Sequence, residues 1–141
     1  MAIRRSAVVL SLALMVACGG KTPTAPETAM LRFTPRAPDA GAADSTAAEA
    51  GRGAITIRAT LGGPDPCRTL DGTLEQAAQQ LTLRVSIRPT GGACVLVLGR
   101  FAYDATIEGL APGRYSLQVV HTYPSTGWPT NTVLNESVDV R

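Results

Sequence analysis

Between residues 53 and 141, apolar and polar residues alternate with a period of two, and this pattern limits the chain to extended structure. Apolar side chains stand at every second position, separated mostly by polar residues, in the runs Ile55–Leu61, Leu81–Ile87 and Phe101–Ile107. Successive side chains of a β-strand point to opposite faces, so each run presents one face to a core and the other to water. The pattern predicts three amphipathic strands.

Four further segments are predicted to be strands, although their alternation is weaker. They are Leu70–Leu74 around Gly72, the continuously apolar and therefore buried run Cys94–Leu98, Tyr115–His121, and Val133–Val140. Residues that favour turns separate the strands at Gly62–Pro64, Pro89–Gly92 and Ala111–Gly113. Seven short strands separated by turns predict an all-β domain, a seven-stranded antiparallel β-sandwich over residues 53–141.

One segment in this region has the composition of a helix. It is Glu75–Gln80, which lacks an apolar stripe and lies between two predicted strands. It is predicted to form a hairpin connection, with a single helical turn as the alternative.

The segment Leu110–Val119 has the sequence Leu-Ala-Pro-Gly-Arg-Tyr-Ser-Leu-Gln-Val. It resembles the Leu-x-Pro-Gly-x-Tyr-x-Leu-x-Val run of immunoglobulin-like, fibronectin type III-like and transthyretin-like or carboxypeptidase-regulatory-like sandwiches. The resemblance implies a Pro-Gly turn that leads into a central strand. It also implies a corner in which the Tyr115 hydroxyl bonds back to the backbone. An antibody-type domain is disfavoured because Trp128 follows both Cys67 and Cys94 instead of lying between them.

The N-terminus has the features of an export signal. Arg4 and Arg5 precede eleven almost uninterrupted apolar residues, Ala7–Ala17, a run too short to cross a bilayer as a helix. The last three residues of this run and the next one, Met15-Val16-Ala17-Cys18, resemble a bacterial lipobox. The resemblance implies a signal peptide over residues 1–17, lipidation of Cys18 and attachment to a membrane. Gly19 after the cysteine favours the outer membrane over the inner one. The alternatives are an ordinary secretory signal with a chance cysteine, or a buried N-terminal strand.

Residues 18–52 are predicted to consist of the lipidated Cys18 and a disordered linker. Ala, Pro, Gly, Thr and Ser supply 23 of the 34 residues from 19 to 52, too little apolar surface to offset the entropy of ordering. The apolar run Met30, Leu31 and Phe33, interrupted by Arg32, is the exception. It could dock on a partner or add a strand to a sheet edge. The simpler interpretation, which we favour, is incidental apolar residues in a disordered segment.

The predicted removal of residues 1–17 and lipidation of Cys18 change how the charge and the cysteines are interpreted. The chain has a net charge of +2, which becomes zero once Arg4 and Arg5 are removed, so no basic field would attract nucleic acid. If Cys18 carries lipid, Cys67 and Cys94 remain, and in an oxidising compartment we expect them to form a disulfide. Closing that loop would stabilise the fold by about 3.5 kcal/mol.

No catalytic constellation is recognisable in the sequence. His121 shares the inward parity of its strand, which favours a structural role. Asp104 and Glu108 share the outward face of another strand, which favours a simple charged surface over paired catalytic carboxylates. Metal-ligand spacing and phosphate loops are also missing from the sequence. We therefore expect a non-enzymatic protein without metal or cofactor.

The segment His121–Thr130 is the most suggestive candidate for binding. Tyr123 and Trp128 could stack on a sugar or contact a partner peptide, although the favoured interpretation is that Trp128 covers the core. The sequence thus predicts an exported, lipid-anchored envelope protein that displays a binding or structural module. The alternatives are a carbohydrate or small-ligand module using the 121–130 loop, and an accessory subunit of an envelope assembly.

Overall fold

Eight β-strands make up the regular structure of residues 28–141, the part of the chain that the computed structural model describes. They are β1 Met30–Arg36, β2 Ser45–Ala50, β3 Ala54–Gly63, β4 Arg68–Ala77, β5 Gln80–Pro89, β6 Gly99–Glu108, β7 Gly113–Thr122 and β8 Asn131–Val140. None of the described residues is helical. The all-β prediction is confirmed, but the strand count is eight instead of seven. The predicted signal peptide and Cys18 lie outside the described residues.

The strands form two four-stranded sheets in a β-sandwich-like arrangement. One sheet has the order β1-β6-β3-β2 and the other β4-β5-β7-β8. Neighbouring strands are antiparallel except β5 and β7, which run parallel with Leu81 opposite Leu117 and Val85 opposite His121. The prediction of a purely antiparallel sandwich is therefore wrong at this pair. The reason is topological: after β5 the chain crosses to the other sheet as β6 and returns beside β5 as β7.

The core lies between the sheets and is built from the alternating runs. Their inward side chains are almost completely buried: Ile55, Ile57, Ala59 and Leu61 from β3, Leu81, Leu83, Val85 and Ile87 from β5, and Tyr103, Ala105 and Ile107 from β6. Tyr115, Leu117 and Val119 of β7 join the same cluster. The period of two therefore identified the buried faces correctly. The Tyr115 hydroxyl donates a hydrogen bond to the Ala111 carbonyl at 3.0 Å, the corner that the family resemblance implied.

Two strands lie where the sequence predicted a disordered linker. β1 pairs with β6 and β2 pairs with β3, so residues 30–36 and 45–50 are sheet edges, and the prediction of disorder across 18–52 is wrong for them. Small residues hide the alternation in β2, where Ala48 and Ala50 pack against the core. Pro35 fits β1 because a proline that lacks an amide donor is tolerated in an edge strand.

The apolar run Cys94–Leu98 is a loop, not the buried strand predicted from its composition. It precedes β6, which takes the sheet position beside β3. Gly91 and Gly92, with φ of 86° and 84°, turn the chain just before the run. Backbone conformations of this kind favour glycine and interrupt a strand. The hairpin predicted at Glu75–Gln80 is confirmed, since only Ala78 and Gln79 separate β4 from β5.

The strand directions bring the four longer connections to one end of the molecule. Segments 37–44, 64–67, 90–98 and 123–130 lie there, and we name it the loop end. The short turns 51–53, 78–79 and 109–112 lie at the opposite end, which we name the tail end. The Gly53 amide donates to the Arg141 carbonyl there at 2.9 Å. Strands of ten residues separate the ends by about 33 Å.

Candidate functional site

A disulfide holds two connections of the loop end together. Cys67 and Cys94 are bonded, which confirms the predicted pair, and their Cα atoms are 5.9 Å apart. An ion pair of 2.8 Å between the largely buried side chains of Arg68 and Asp65 lies beside it. Asp65 also accepts a hydrogen bond from the Cys67 amide at 3.0 Å. The disulfide and the ion pair therefore restrain the loops of the loop end where they leave the strands, although these loops contain little regular structure.

Asp65, Cys67 and Cys94 form the group of potential metal ligands found among residues 28–141. The two sulfur atoms are bonded to each other, so neither is a thiolate. Because metal coordination by cysteine requires the thiolate, this group is better explained as the surroundings of a disulfide.

A groove opens between the loops at this end, with a volume of about 410 Å³. We name it the aromatic groove. Its lining combines two aromatic side chains with charged and amide groups, and consists of Asp44, Gly62, Gly63, Leu98, Gly99, Arg100, Tyr123, Trp128, Pro129, Thr130 and Asn131. An apolar wall with a few convergent polar groups, in this size range, is typical of a ligand site.

Tyr123 and Trp128 form the apolar wall of the aromatic groove. Their ring centroids are 5.1 Å apart and the rings are inclined by 57°. Tyr123 packs against the core, whereas Trp128 remains 39% exposed. The favoured expectation that Trp128 covers the core is therefore wrong, because Tyr123 takes that position. The Thr126 hydroxyl supports the loop by donating to the Tyr123 carbonyl at 2.8 Å and accepting from the Trp128 amide at 3.0 Å.

Asp44 and Arg100 form the polar side of the aromatic groove. The Arg100 Nη1 atom lies 2.7 Å from Asp44 Oδ1, and the same guanidinium donates to the Ala42 carbonyl. Both side chains are partly exposed, so the pair adds little to stability. Its effect is to fix a donor and an acceptor in the same groove as the aromatic wall without leaving a net charge.

A second groove of about 400 Å³ adjoins the first and shares Asp44, Tyr123 and Asn131 with it. We name it the polar groove. It opens beside the edge strands β2 and β8, and its lining includes Ser45, Thr46, Thr60, His121 and Thr132. The shared residues place the two grooves side by side at the loop end, and we name the two together the cleft.

His121 is buried at the base of the polar groove. Its Nε2 atom is hydrogen-bonded to the Tyr103 hydroxyl at 3.0 Å, and the two rings meet edge to face. Burial lowers the pKa of His121 from 6.5 to about 4, an effect that the nearby Asp44 carboxylate partly opposes. Burial also raises the pKa of Tyr103. Both groups are therefore neutral at physiological pH, which agrees with the structural role predicted from parity.

Met30, Leu31 and Phe33 lie in β1, away from the cleft. Leu31 and Phe33 pack against the core, and the Phe33 ring lies 5.0 Å from that of Tyr103. A Cβ atom at residue 72 would overlap the Phe33 ring, which explains why glycine stands there. Met30 is exposed at the tail end. The run is therefore an edge strand of its own domain, and the favoured interpretation as incidental residues in a disordered segment is wrong.

Val95, Leu96, Val97 and Leu98 form an exposed aliphatic loop, which we name the apolar tip. Leu96 is 96% exposed and the other three side chains are between 57% and 74% exposed. The Val97 amide donates to the Val95 carbonyl at 3.0 Å, so the tip is a tight turn. Leu98 also lines the aromatic groove, which places the tip at the rim of the cleft.

The outward carboxylates predicted on β6 lie on the charged face of the first sheet. Arg36 and Arg58 approach Asp104 at 3.4 Å and 3.9 Å, and Arg32 pairs with Glu108 at 2.9 Å. These exposed ion pairs match the simple charged surface that the sequence favoured.

Tyr123 and Trp128 could be identified from the sequence, but Asp44, Arg100 and Asn131 could not. These three come from separate connections or strand ends, and no local pattern distinguishes them from other polar surface residues. The apolar tip was also missed as a surface feature. The signal that could have revealed it is the pair Gly91-Gly92 before the run and Gly99 after it, which is typical of a loop.

Comparison with known proteins adds no assignment. No protein-family model matches the chain, and no curated protein and no solved structure is significantly similar to it. Within residues 28–141, no helix with the length and apolarity needed to cross a membrane is present.

Proposed function

We propose that this protein is a non-catalytic binding module of the cell envelope and that its ligand occupies the aromatic groove. The observation that carries the proposal is the Tyr123–Trp128 pair, which lines the same groove as Asp44 and Arg100. Aromatic side chains with both an apolar face and a polar edge are enriched where ligands and partners bind. The groove has room for one or two sugar-sized rings.

A carbohydrate is the ligand class that best fits this chemistry. A sugar ring has an apolar face that stacks on an aromatic ring and hydroxyl groups that need donors and acceptors. Arg100 supplies donors, Asp44 supplies acceptors, and the Asn131 amide supplies both. The opposed charges of Asp44 and Arg100 leave the groove neutral, which suits an uncharged ligand.

Binding can be measured by calorimetric titration with oligosaccharides of glucose and of N-acetylglucosamine. Trp128 is the only tryptophan of the chain, so its fluorescence gives a second readout from within the groove. Trp128→Ala is expected to weaken binding about tenfold or more, the usual effect of truncating a central aromatic contact. Met30→Ala, which removes an exposed apolar side chain at the tail end, is the matched control. Failure of every saccharide to bind, or equal affinity of Trp128→Ala, would contradict the proposal.

The envelope location is a further part of the proposal. It is supported by the charged, apolar and lipobox-like segments up to Cys18, and by a disulfide that suits an oxidising compartment. We infer lipidation at Cys18 and attachment to the outer membrane. Growth with a palmitate analogue is expected to label the chain, and Cys18→Ser is expected to abolish the label. Equal labelling of Cys18→Ser would refute the anchor.

Between the two candidate sandwich types, we propose the transthyretin-like one. The immunoglobulin type is built from two antiparallel sheets, and the parallel β5–β7 pair departs from it. The Tyr115 corner is compatible with either type. The accessory-subunit alternative loses its sequence motif, because contact through Leu31 and Phe33 would require β1 to leave its own sheet.

A further inference from the structure

The apolar tip has no role in the groove proposal, yet it is a large departure from an ordinary surface. Four consecutive aliphatic side chains, from Val95 to Leu98, are exposed at the end of a loop. The strand β5, which leads toward the tip, buries Leu81, Leu83, Val85 and Ile87 almost completely, so exposed aliphatic side chains are not a general feature of this domain. A contiguous exposed apolar surface of this kind marks an interaction site.

The surroundings of the tip allow it to leave water at little cost. Between Arg88 and Arg100 the chain has no charged residue, so no ionised group is desolvated when the tip is buried. Within the backbone of the tip, the Val97 amide and the Val95 carbonyl are bonded to each other, and the remaining amides and carbonyls stay in contact with water when only the side chains enter an apolar medium. The disulfide at Cys94 and the start of β6 at Gly99 hold the two ends of the tip. Less conformational entropy is therefore lost on binding than for a free loop.

The composition and size of the tip favour lipid over protein as the occupant. Protein interfaces obtain most of their binding energy from Trp, Tyr and Arg, whereas leucine and valine are under-represented among such residues. Two tips in contact would bury only about 600 Å² if each aliphatic side chain contributes roughly 75 Å². That is about half of the smallest area that a stable, specific protein interface buries. A convex aliphatic tip needs no complementary pocket when the surrounding medium is fluid hydrocarbon.

We propose that the apolar tip inserts into the surface of a lipid bilayer, with Leu96 entering deepest. Trp128 lines the same groove as Leu98, and an indole ring beside the tip would suit the headgroup region. The described residues carry ten arginines and ten acidic residues, so insertion draws on apolar burial rather than on attraction to anionic lipid. This inference depends neither on a ligand in the aromatic groove nor on lipidation of Cys18.

The test is co-sedimentation with lipid vesicles of the chain from Gly19 to Arg141, which contains every described strand and lacks the apolar leader. Vesicles of phosphatidylcholine alone are compared with vesicles that also contain phosphatidylglycerol. Binding to both is expected, with little change when salt is added. Leu96→Gln is expected to lower the partition constant about tenfold or more, because full burial of a leucine corresponds to at least that factor. Met30→Gln, which alters an exposed apolar residue at the tail end, is expected to bind like the wild type.

Four outcomes would overturn the proposal. The first is no binding to either vesicle, and the second is equal binding by Leu96→Gln and the wild type. The third is a wild-type dimer in sedimentation equilibrium that Leu96→Gln converts to a monomer, which would identify a second copy as the occupant. Binding that salt abolishes would point to the arginines instead of the tip and would overturn it equally. Because Leu96 is exposed, Leu96→Gln is expected to retain the wild-type unfolding midpoint, which confirms that the variant folds.

Discussion

The buried His121 makes the stability of the fold depend on pH in a calculable way. Its pKa is about 4 in the folded protein and 6.5 when the imidazole is in water, so the unfolded chain binds a proton first as the pH falls. The stabilisation is therefore complete above about pH 6.5 and is lost as the pH falls toward 4. Each pH unit between these values corresponds to about 1.4 kcal/mol, and the difference between pH 7 and pH 5 is about 2 kcal/mol.

Urea unfolding at a series of pH values between 7 and 5 measures this loss directly. Aspartate and glutamate remain largely ionised in that window, and His121 is the only histidine of the chain. His121→Gln supplies the control, because an amide of similar reach can bond to the Tyr103 hydroxyl but does not titrate. The variant is expected to be less stable at pH 7 and to lose about 2 kcal/mol less than the wild type on acidification. Parallel profiles for the two proteins would refute the inferred pKa and its cause.

Three further predictions concern the fold. Replacing both cysteines by serine (Cys67→Ser with Cys94→Ser) is expected to lower the free energy of unfolding by about 3.5 kcal/mol, measured by urea denaturation and matched by reduced wild type. Residues 53–141 alone, which lack β1 and β2, are expected to give no cooperative thermal transition by circular dichroism; a cooperative transition would show that the two edge strands are dispensable. Tyr115→Phe removes the hydrogen bond to Ala111 and is expected to cost about 1 kcal/mol by urea denaturation, whereas an unchanged midpoint would mean that this bond adds nothing.

The core strands could be predicted from sequence because the interior itself imposes the period of two. β3, β5 and β6 place every second side chain between the sheets, and the alternation of Ile55, Leu83 and Tyr103 with polar neighbours records that burial. The alternation of apolar and polar residues is weaker in the edge strands. β2 contributes only small side chains such as Ala48 to the core, so composition alone makes it resemble a linker. Its hydrogen-bond partners come from β3 and are not visible in its own residues.

The run Cys94–Leu98 was predicted to be a buried strand from its apolar composition, but it is an exposed loop. Apolar composition indicates that a segment gains free energy when it leaves water, but it does not identify what will cover it. In this sandwich the sheet positions are already taken, so Leu96 stays exposed. The candidate site was foreseeable to the extent that it is local: Tyr123 and Trp128 lie on one loop, whereas Asp44 and Arg100 meet across 56 positions of sequence.

The position of β1 has a consequence for how the chain reaches this structure. Arg32 of β1 pairs with Glu108 of β6, 76 positions later, so the first of the described strands finds its partner only after β6 has been synthesised. When such distant segments pair, the chain loses the entropy of loop closure before any stabilising contact has formed. Folding that depends on many such pairs is therefore slow. During that interval the apolar face of β1 is open to other chains, and Pro35 and the charged side chains of Arg32 and Arg36 hinder its pairing with them. β1 is therefore made before its partner β6 and can join its sheet only after β2 to β5 have been synthesised.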